Sequence, residues 1–150
     1  MYIADGVPVS TPLAEDNGFN IDKEAVISHI TKKSHMIIVN SPNNPTGAVF
    51  SHDELSNLAK VAAERDLLVI SDEVYKKIKY DGARHYSLAS FPGMRECTIV
   101  VGSFSKTYAM TGFRVGYACG PKELIAPMML AHQFSVACVD GPTQHGLLPH

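Results

Sequence analysis

Hydrophobic residues in this chain gather in short unbroken runs separated by polar, Gly- and Pro-rich stretches. Met36-Ile-Ile-Val39, Leu67-Leu-Val-Ile70 and Thr98-Ile-Val-Val101 each read as strands, the first as one buried on both faces. Between the first two, Leu55, Leu58, Ala59 and Ala62 recur at helical spacing. They follow Ser51-His-Asp-Glu54, a capping box in which Ser51 and Glu54 satisfy each other's free amide groups. A shorter helix is predicted after Asp22, an N-cap residue, with Val26, Ile27 and Ile30 on one face. Val115 to Cys119 is predicted as a fourth strand, and Pro121 to roughly Val139 as a helix with Pro121 in its first turn. The first twenty residues read as irregular or extended chain.

Buried strands alternating with helices predict an α/β fold around a mostly parallel sheet. Neither an internal repeat nor a low-complexity segment interrupts it. Three of the strands end in polar clusters, and ligands of open α/β sheets bind beyond the carboxyl ends of the strands. The architecture therefore collects Asn43 and Asn44, Asp72 and Tyr75, and Ser103 and Lys106 at one rim.

Composition narrows the function without naming it. With 150 residues the chain can build one real core, and a net charge of −2 supplies no field to attract nucleic acid or an anionic membrane. Neither partner is expected. The apolar-rich stretch from Leu124 to Val139 is broken by Pro127, His132 and Gln133, too short and polar to span a bilayer. The opening Met1-Tyr-Ile-Ala-Asp-Gly-Val-Pro8 lacks the regions of a signal peptide. Cys97, Cys119 and Cys138 are an odd number without a C-x-x-C spacing, which suits a reducing cytosol and small buried hydrophobes. The seven histidines are dispersed, and no metal site is expected.

Each polar cluster has a bland reading. Asn43-Asn44-Pro45-Thr46-Gly47 is compatible with a plain turn, although its place after a buried strand lets Asn44 direct an amide into the crevice. Asp72 at a strand end suits a cap as well as a ligand. With Tyr75 three residues on, a carboxylate and a phenol could grip opposite edges of a heteroaromatic ring. The run around Lys106 is sharper. Ser103, Ser105, Thr107, Tyr108 and Arg114 surround it with phosphate ligands, and a desolvated lysine is a good carbonyl nucleophile. A P-loop does not fit, because no glycine directly precedes Lys106 and Val100 stands where the first glycine belongs.

Three motifs in order, Asn40-Ser-Pro-Asn-Asn-Pro-Thr-Gly47, Ser71-Asp-Glu-Val-Tyr75 and Ser103-Phe-Ser-Lys-Thr-Tyr-Ala-Met-Thr-Gly-Phe-Arg-Val-Gly-Tyr117, carry a resemblance to a known family. Over most of residues 2–145 the chain resembles the class I/II aminotransferases of fold type I, especially the aspartate and aromatic aminotransferase branch. The resemblance implies a three-layer α/β/α domain that holds pyridoxal 5′-phosphate. Lys106 would carry the cofactor as a Schiff base and move protons between the substrate Cα and the cofactor. Asp72 would pair with the pyridine nitrogen, keeping it protonated so that the ring accepts electrons. Asn44 and Tyr75 would donate to the phenolic oxygen, and Ser103 and Arg114 would hold the phosphate with help from Ser105. The peptide bond before Pro45 is expected to be cis.

The same resemblance implies substrates, partners and boundaries. An amino acid and a 2-oxo acid would exchange an amino group in a cytoplasmic homodimer. Residues 1–150 would be the central part of the large domain, with the family's N-terminal segment and C-terminal small domain missing and the pattern departing at Gly146-Leu-Leu-Pro-His150. Without the small domain's arginine for the substrate α-carboxylate, no transamination is expected of these residues alone. Two alternatives stand beside this reading. One is a pyridoxal-phosphate-dependent carbon–sulfur lyase, which Val74-Tyr75 disfavours because those lyases typically have Ile-His there. The other is a non-catalytic truncated product.

Overall fold

A computed structural model describes residues 5–148. The extended start and the departure at 146–150 fall in part on residues 1–4 and 149–150, which lie outside the described residues. The helices and strands run α1 (Lys23–His29), β1 (Met36–Asn40), α2 (His52–Glu64), β2 (Leu68–Asp72), β3 (Thr98–Ser103), α3 (Phe104–Thr107), β4 (Gly116–Cys119), α4 (Lys122–Ser135) and α5 (Gly141–Gly146). Short 3-10 turns lie at Glu15–Asn17, Leu88–Ser90 and Thr111–Phe113.

The four strands form one sheet in the order β1-β2-β3-β4. β1, β2 and β3 are parallel, with Asn40 beside Asp72 and Asp72 beside Val101. β4 runs antiparallel to β3 and sets Gly116 beside Ser103. The carboxyl ends of three strands and the amino end of the fourth thus share one rim. This is a mostly parallel α/β domain.

The capping box of α2 forms as its sequence requires. Ser51 Oγ accepts from the Glu54 N–H at 3.2 Å, and Glu54 Oε2 accepts from the Ser51 N–H at 2.9 Å. Glu54 Oε1 also accepts from the Ile21 N–H at 2.7 Å, tying the chain before α1 to α2. Leu55, Leu58, Ala59 and Ala62 of α2 are buried against Val39, Val69, Leu88, Phe91 and Met94, which makes the core. Asp22 caps α1 through the Glu24 and Ala25 N–H groups at 2.9 and 3.2 Å.

Three expectations are corrected. β1 is not buried on both faces: Met36 and Ile38 are 43% and 49% exposed. Among the described residues, α2 covers only the face bearing Val39, so alternate β1 side chains stay open to solvent. The cysteines are not all small buried hydrophobes either. Cys97 is half-buried, while Cys119 on the exposed strand β4 and Cys138 beyond α4 are exposed, all as free thiols. Finally, α4 ends at Ser135 rather than near Val139, because Ala137 takes a left-handed backbone with φ 67°. Pro121 is its N-cap. α5 follows, capped by Asp140, whose carboxyl lies below the ordinary range because the Thr143 hydroxyl and N–H both donate to it. No helix among the described residues is long and apolar enough to cross a membrane.

Candidate functional site

The rim at the strand ends is built first by β1 and the turn after it. Asn40 Nδ2 donates to the Asp72 carbonyl at 3.3 Å, and Asn40 Oδ1 accepts from the Asn44 N–H at 2.8 Å. One side chain therefore sets both the end of β2 and the position of Asn44. The Asn44-Pro45 peptide is cis as expected, and so is Ser41-Pro42. Asn43 closes the turn, its Oδ1 accepting from the Thr46 hydroxyl at 2.8 Å. Asn44 Nδ2 then reaches the Tyr75 hydroxyl at 3.1 Å. That contact links two polar clusters.

Asp72 ends β2, and its Oδ1 accepts from the Val74 N–H at 3.1 Å. No helix follows Asp72 directly, so the helix-cap reading is not met; its side chain instead closes a local turn, which occupies one carboxylate oxygen. No hydrogen bond from a described residue engages the other. Alternation along β2 puts Asp72 on the open face of the sheet, with Ile70, while Val69 and Ser71 face the core.

Lys106 lies in α3, the first turn after β3. Its Nζ stands 5.8 Å from the centre of the Tyr75 ring. The side chain is exposed rather than desolvated, since no described element covers it. Ser103 is the N-cap of this turn: its Oγ accepts from the Ser105 N–H at 3.0 Å and donates to the Val115 carbonyl at 3.3 Å. The Thr111 hydroxyl donates to the Ser105 carbonyl at 3.0 Å.

Arg114 returns to the same rim because β4 begins two residues later, opposite Ser103. It is exposed, adopts a left-handed backbone with φ 54°, and donates through Nη1 to the Thr111 carbonyl at 3.0 Å. The structure therefore joins Asn44, Tyr75 and Lys106 by direct contacts, and Ser103 to Ser105. It brings Asp72 and Arg114 to the rim without a hydrogen bond to the others. The rim is open, and a groove lined by Ala89, Arg95, Thr98, Cys119 and Glu123 lies apart from it.

Two residues of this neighbourhood escaped the sequence reading. The sequence pattern marks Asn40 only as the start of a turn, although an amide side chain closing an apolar strand is itself a signal. Glu73 was passed over beside Asp72. Its carboxylate is 3% exposed and accepts from Ser71 Oγ at 3.1 Å and from Ser87 Oγ, with His85 Nε2 3.2 Å away. The signal was present: polar residues at 71 and 73 occupy the alternate positions that should face the core. Burial would raise the Glu73 carboxyl, but the His85 ring close to it and the Ser87 and Ser71 hydroxyls outweigh that. The net shift is below the usual value of 4.5.

The sequence pattern described as Aminotransferase class I and II matches residues 2–148. The chain belongs to the class I and II aminotransferases. Among relatives, it is 41% identical to aromatic-amino-acid aminotransferase 2 of Thermococcus litoralis over 92% of this chain and 36% of that protein. It is 43% identical to an aspartate aminotransferase of Pyrococcus abyssi over the same shares, 92% and 36%. A solved structure of a double mutant of Thermus thermophilus aspartate aminotransferase superposes with a TM-score of 0.88 at 41% identity. That match covers 93% of this chain and 36% of the solved one. The chain thus spans 36% of the length of the curated aminotransferases it matches first.

Proposed function

We propose that this protein takes part in pyridoxal-phosphate-dependent transfer of an amino group from an amino acid to a 2-oxo acid, with Lys106 as the catalytic residue. The observation that carries it is the convergence of Asn44, Tyr75 and Lys106 at the rim where Asp72 also ends. Membership of the class I and II aminotransferases, a family of pyridoxal-phosphate-dependent enzymes, supports the same reading.

The donor set suits the group. Bound pyridoxal phosphate would supply an aldehyde for an amine to join and a protonated ring that withdraws electrons. Lys106 offers the amine, and afterwards the base that takes and returns a proton at the substrate Cα. Asp72, with one oxygen on the Val74 N–H, has the other available for a ring N–H. The Asn44 amide and Tyr75 hydroxyl can donate to an oxyanion on the ring, since the amide has a second hydrogen and the phenol its own. Ser103, Ser105 and Arg114 would supply the hydroxyls and guanidinium for the phosphate, although Ser103 also serves as a cap.

Residues 1–150 form the central part of the large domain in this reading, and the whole protein acts as a cytoplasmic homodimer. The test is covalent. Pyridoxal phosphate followed by borohydride should leave a phosphopyridoxyl group on Lys106, found by peptide mapping. A comparable adduct level in Lys106→Ala sinks the assignment.

A further inference from the structure

We propose that Glu73 is a positioning residue of the candidate site: its buried carboxylate, gathered by Ser71, Ser87, His85 and Lys76, sets the turn that presents Tyr75 to Asn44. Two carboxylates stand side by side in the chain, and strand alternation sends them to opposite faces. Asp72 faces the open side, and Glu73 faces the core side, where it is 3% exposed.

A carboxylate is expensive to bury, so its partners indicate what it is for. Oε1 accepts from Ser71 at 3.1 Å and from Ser87, while Oε2 lies 3.2 Å from His85 Nε2 and 3.9 Å from Lys76 Nζ. Oε1 thus meets two hydroxyls while Oε2 faces the Lys76 ammonium and the His85 ring, and an amide would replace one oxygen with an N–H2 group and remove the charge facing Lys76. Ser87 immediately precedes Leu88, which is 1% exposed in the core, so the loop that Glu73 grips is itself anchored.

The backbone completes the brace. The Glu73 N–H donates to the Val101 carbonyl at 2.9 Å, extending the β2–β3 pairing by one residue. The Lys76 N–H donates to the Glu73 carbonyl at 3.0 Å, closing a turn in which Tyr75 sits. Lys76 Nζ also lies 5.5 Å from the centre of the Tyr117 ring, linking the turn to β4. Apart from its peptide bond to Asp72, Glu73 reaches the residues assigned to the cofactor only through this turn. The consequence for cofactor binding rests on the proposed function; the consequence for Tyr75 does not.

The experiment labels tyrosine at ¹³Cζ and follows the Tyr75 resonance, identified by its loss in Tyr75→Phe. The full chain is compared with Glu73→Gln, with the milder Ser87→Ala, and with Leu55→Ala as a core control of measured destabilisation. Glu73→Gln should shift the Tyr75 resonance and weaken the pyridoxal phosphate titration roughly tenfold, the loss of one hydrogen bond to a charged group. Ser87→Ala should move both in the same direction by less, and Leu55→Ala should move neither. An unmoved Tyr75 resonance in both Glu73→Gln and Ser87→Ala overturns the proposal, as does an equal shift in Leu55→Ala. If the unaltered chain takes no adduct at Lys106, the cofactor reading fails, and the Tyr75 resonance alone then decides the positioning role.

Discussion

The Asn44 amide donates to the Tyr75 hydroxyl at 3.1 Å across 31 residues of chain, joining the turn after β1 to the turn after β2. Removing either partner should weaken pyridoxal phosphate binding about two- to fivefold, the worth of a partly exposed neutral hydrogen bond of roughly 0.5–1 kcal/mol. Because the two side chains share one bond, Asn44→Ala with Tyr75→Phe should cost less than the sum of the single losses. A titration of all four forms reads this coupling; strict additivity would show that the contact does not matter to binding.

Glu73 makes the fold sensitive to acid. Its carboxyl is held below the usual value of 4.5 in the folded chain, so the unfolded chain takes up the proton first as pH falls. The stabilisation is fully present above that value and is lost as pH drops through the folded pKa. Between about pH 5.5 and pH 3, the thermal midpoint of the unaltered chain should fall further than that of Glu73→Gln. Parallel curves for the two would assign the acid sensitivity to other carboxylates.

Two glycines at the rim should differ in their tolerance of a methyl group. A Cβ on Gly102 would meet Tyr117 Cζ at 2.2 Å, but that ring is 36% exposed and can swing outward. A Cβ on Gly116 would meet the Gly102 carbonyl oxygen at 2.9 Å, a backbone atom that moves only if β3 and β4 separate. Gly116→Ala should therefore destabilise more, toward the upper end of the roughly 1–3 kcal/mol typical of overpacking. Urea unfolding of the two variants checks the order, and the reverse order would contradict it.

Glu54 should matter more than its partner in the capping box. Ser51→Ala removes one cap and should cost about 1 kcal/mol. Glu54→Ala removes acceptors from both the Ser51 and Ile21 N–H groups, at 2.9 and 2.7 Å, and so loosens the chain before α1 as well. Its midpoint in urea should fall below that of Ser51→Ala; equal midpoints would mean that the Ile21 contact contributes nothing.

The capping box, the α2 stripe and the three apolar runs were legible in the sequence because each depends on residues within one turn or one strand of each other. The burial of β1 was not. An apolar run records that its residues can be buried, whereas which face is covered depends on what packs against it, and α2 reaches only the Val39 side. The end of α4 was misjudged for a similar reason, since nothing in Val136-Ala-Cys138 announces that Ala137 turns left-handed. Lys106, Asp72 and Asn44 were legible as chemistry, yet the sequence placed them only at a common rim. It left the 3.1 Å and 5.8 Å relations to Tyr75 unstated.

The family resemblance, the four strands, α1, α2 and α4, and the identity of the polar residues at one edge of the sheet could be read along the chain alone, because motif chemistry and local periodicity are written in adjacent positions. The folded arrangement alone shows what each polar residue is already doing. It gave Asp72 to the Val74 N–H with one oxygen left over, gave Asn40 two partners, and turned Glu73 inward to Ser87 and His85. The physical reason is that a hydrogen bond between distant residues depends on strand register and on which face a side chain takes. A one-residue change of register would reverse both.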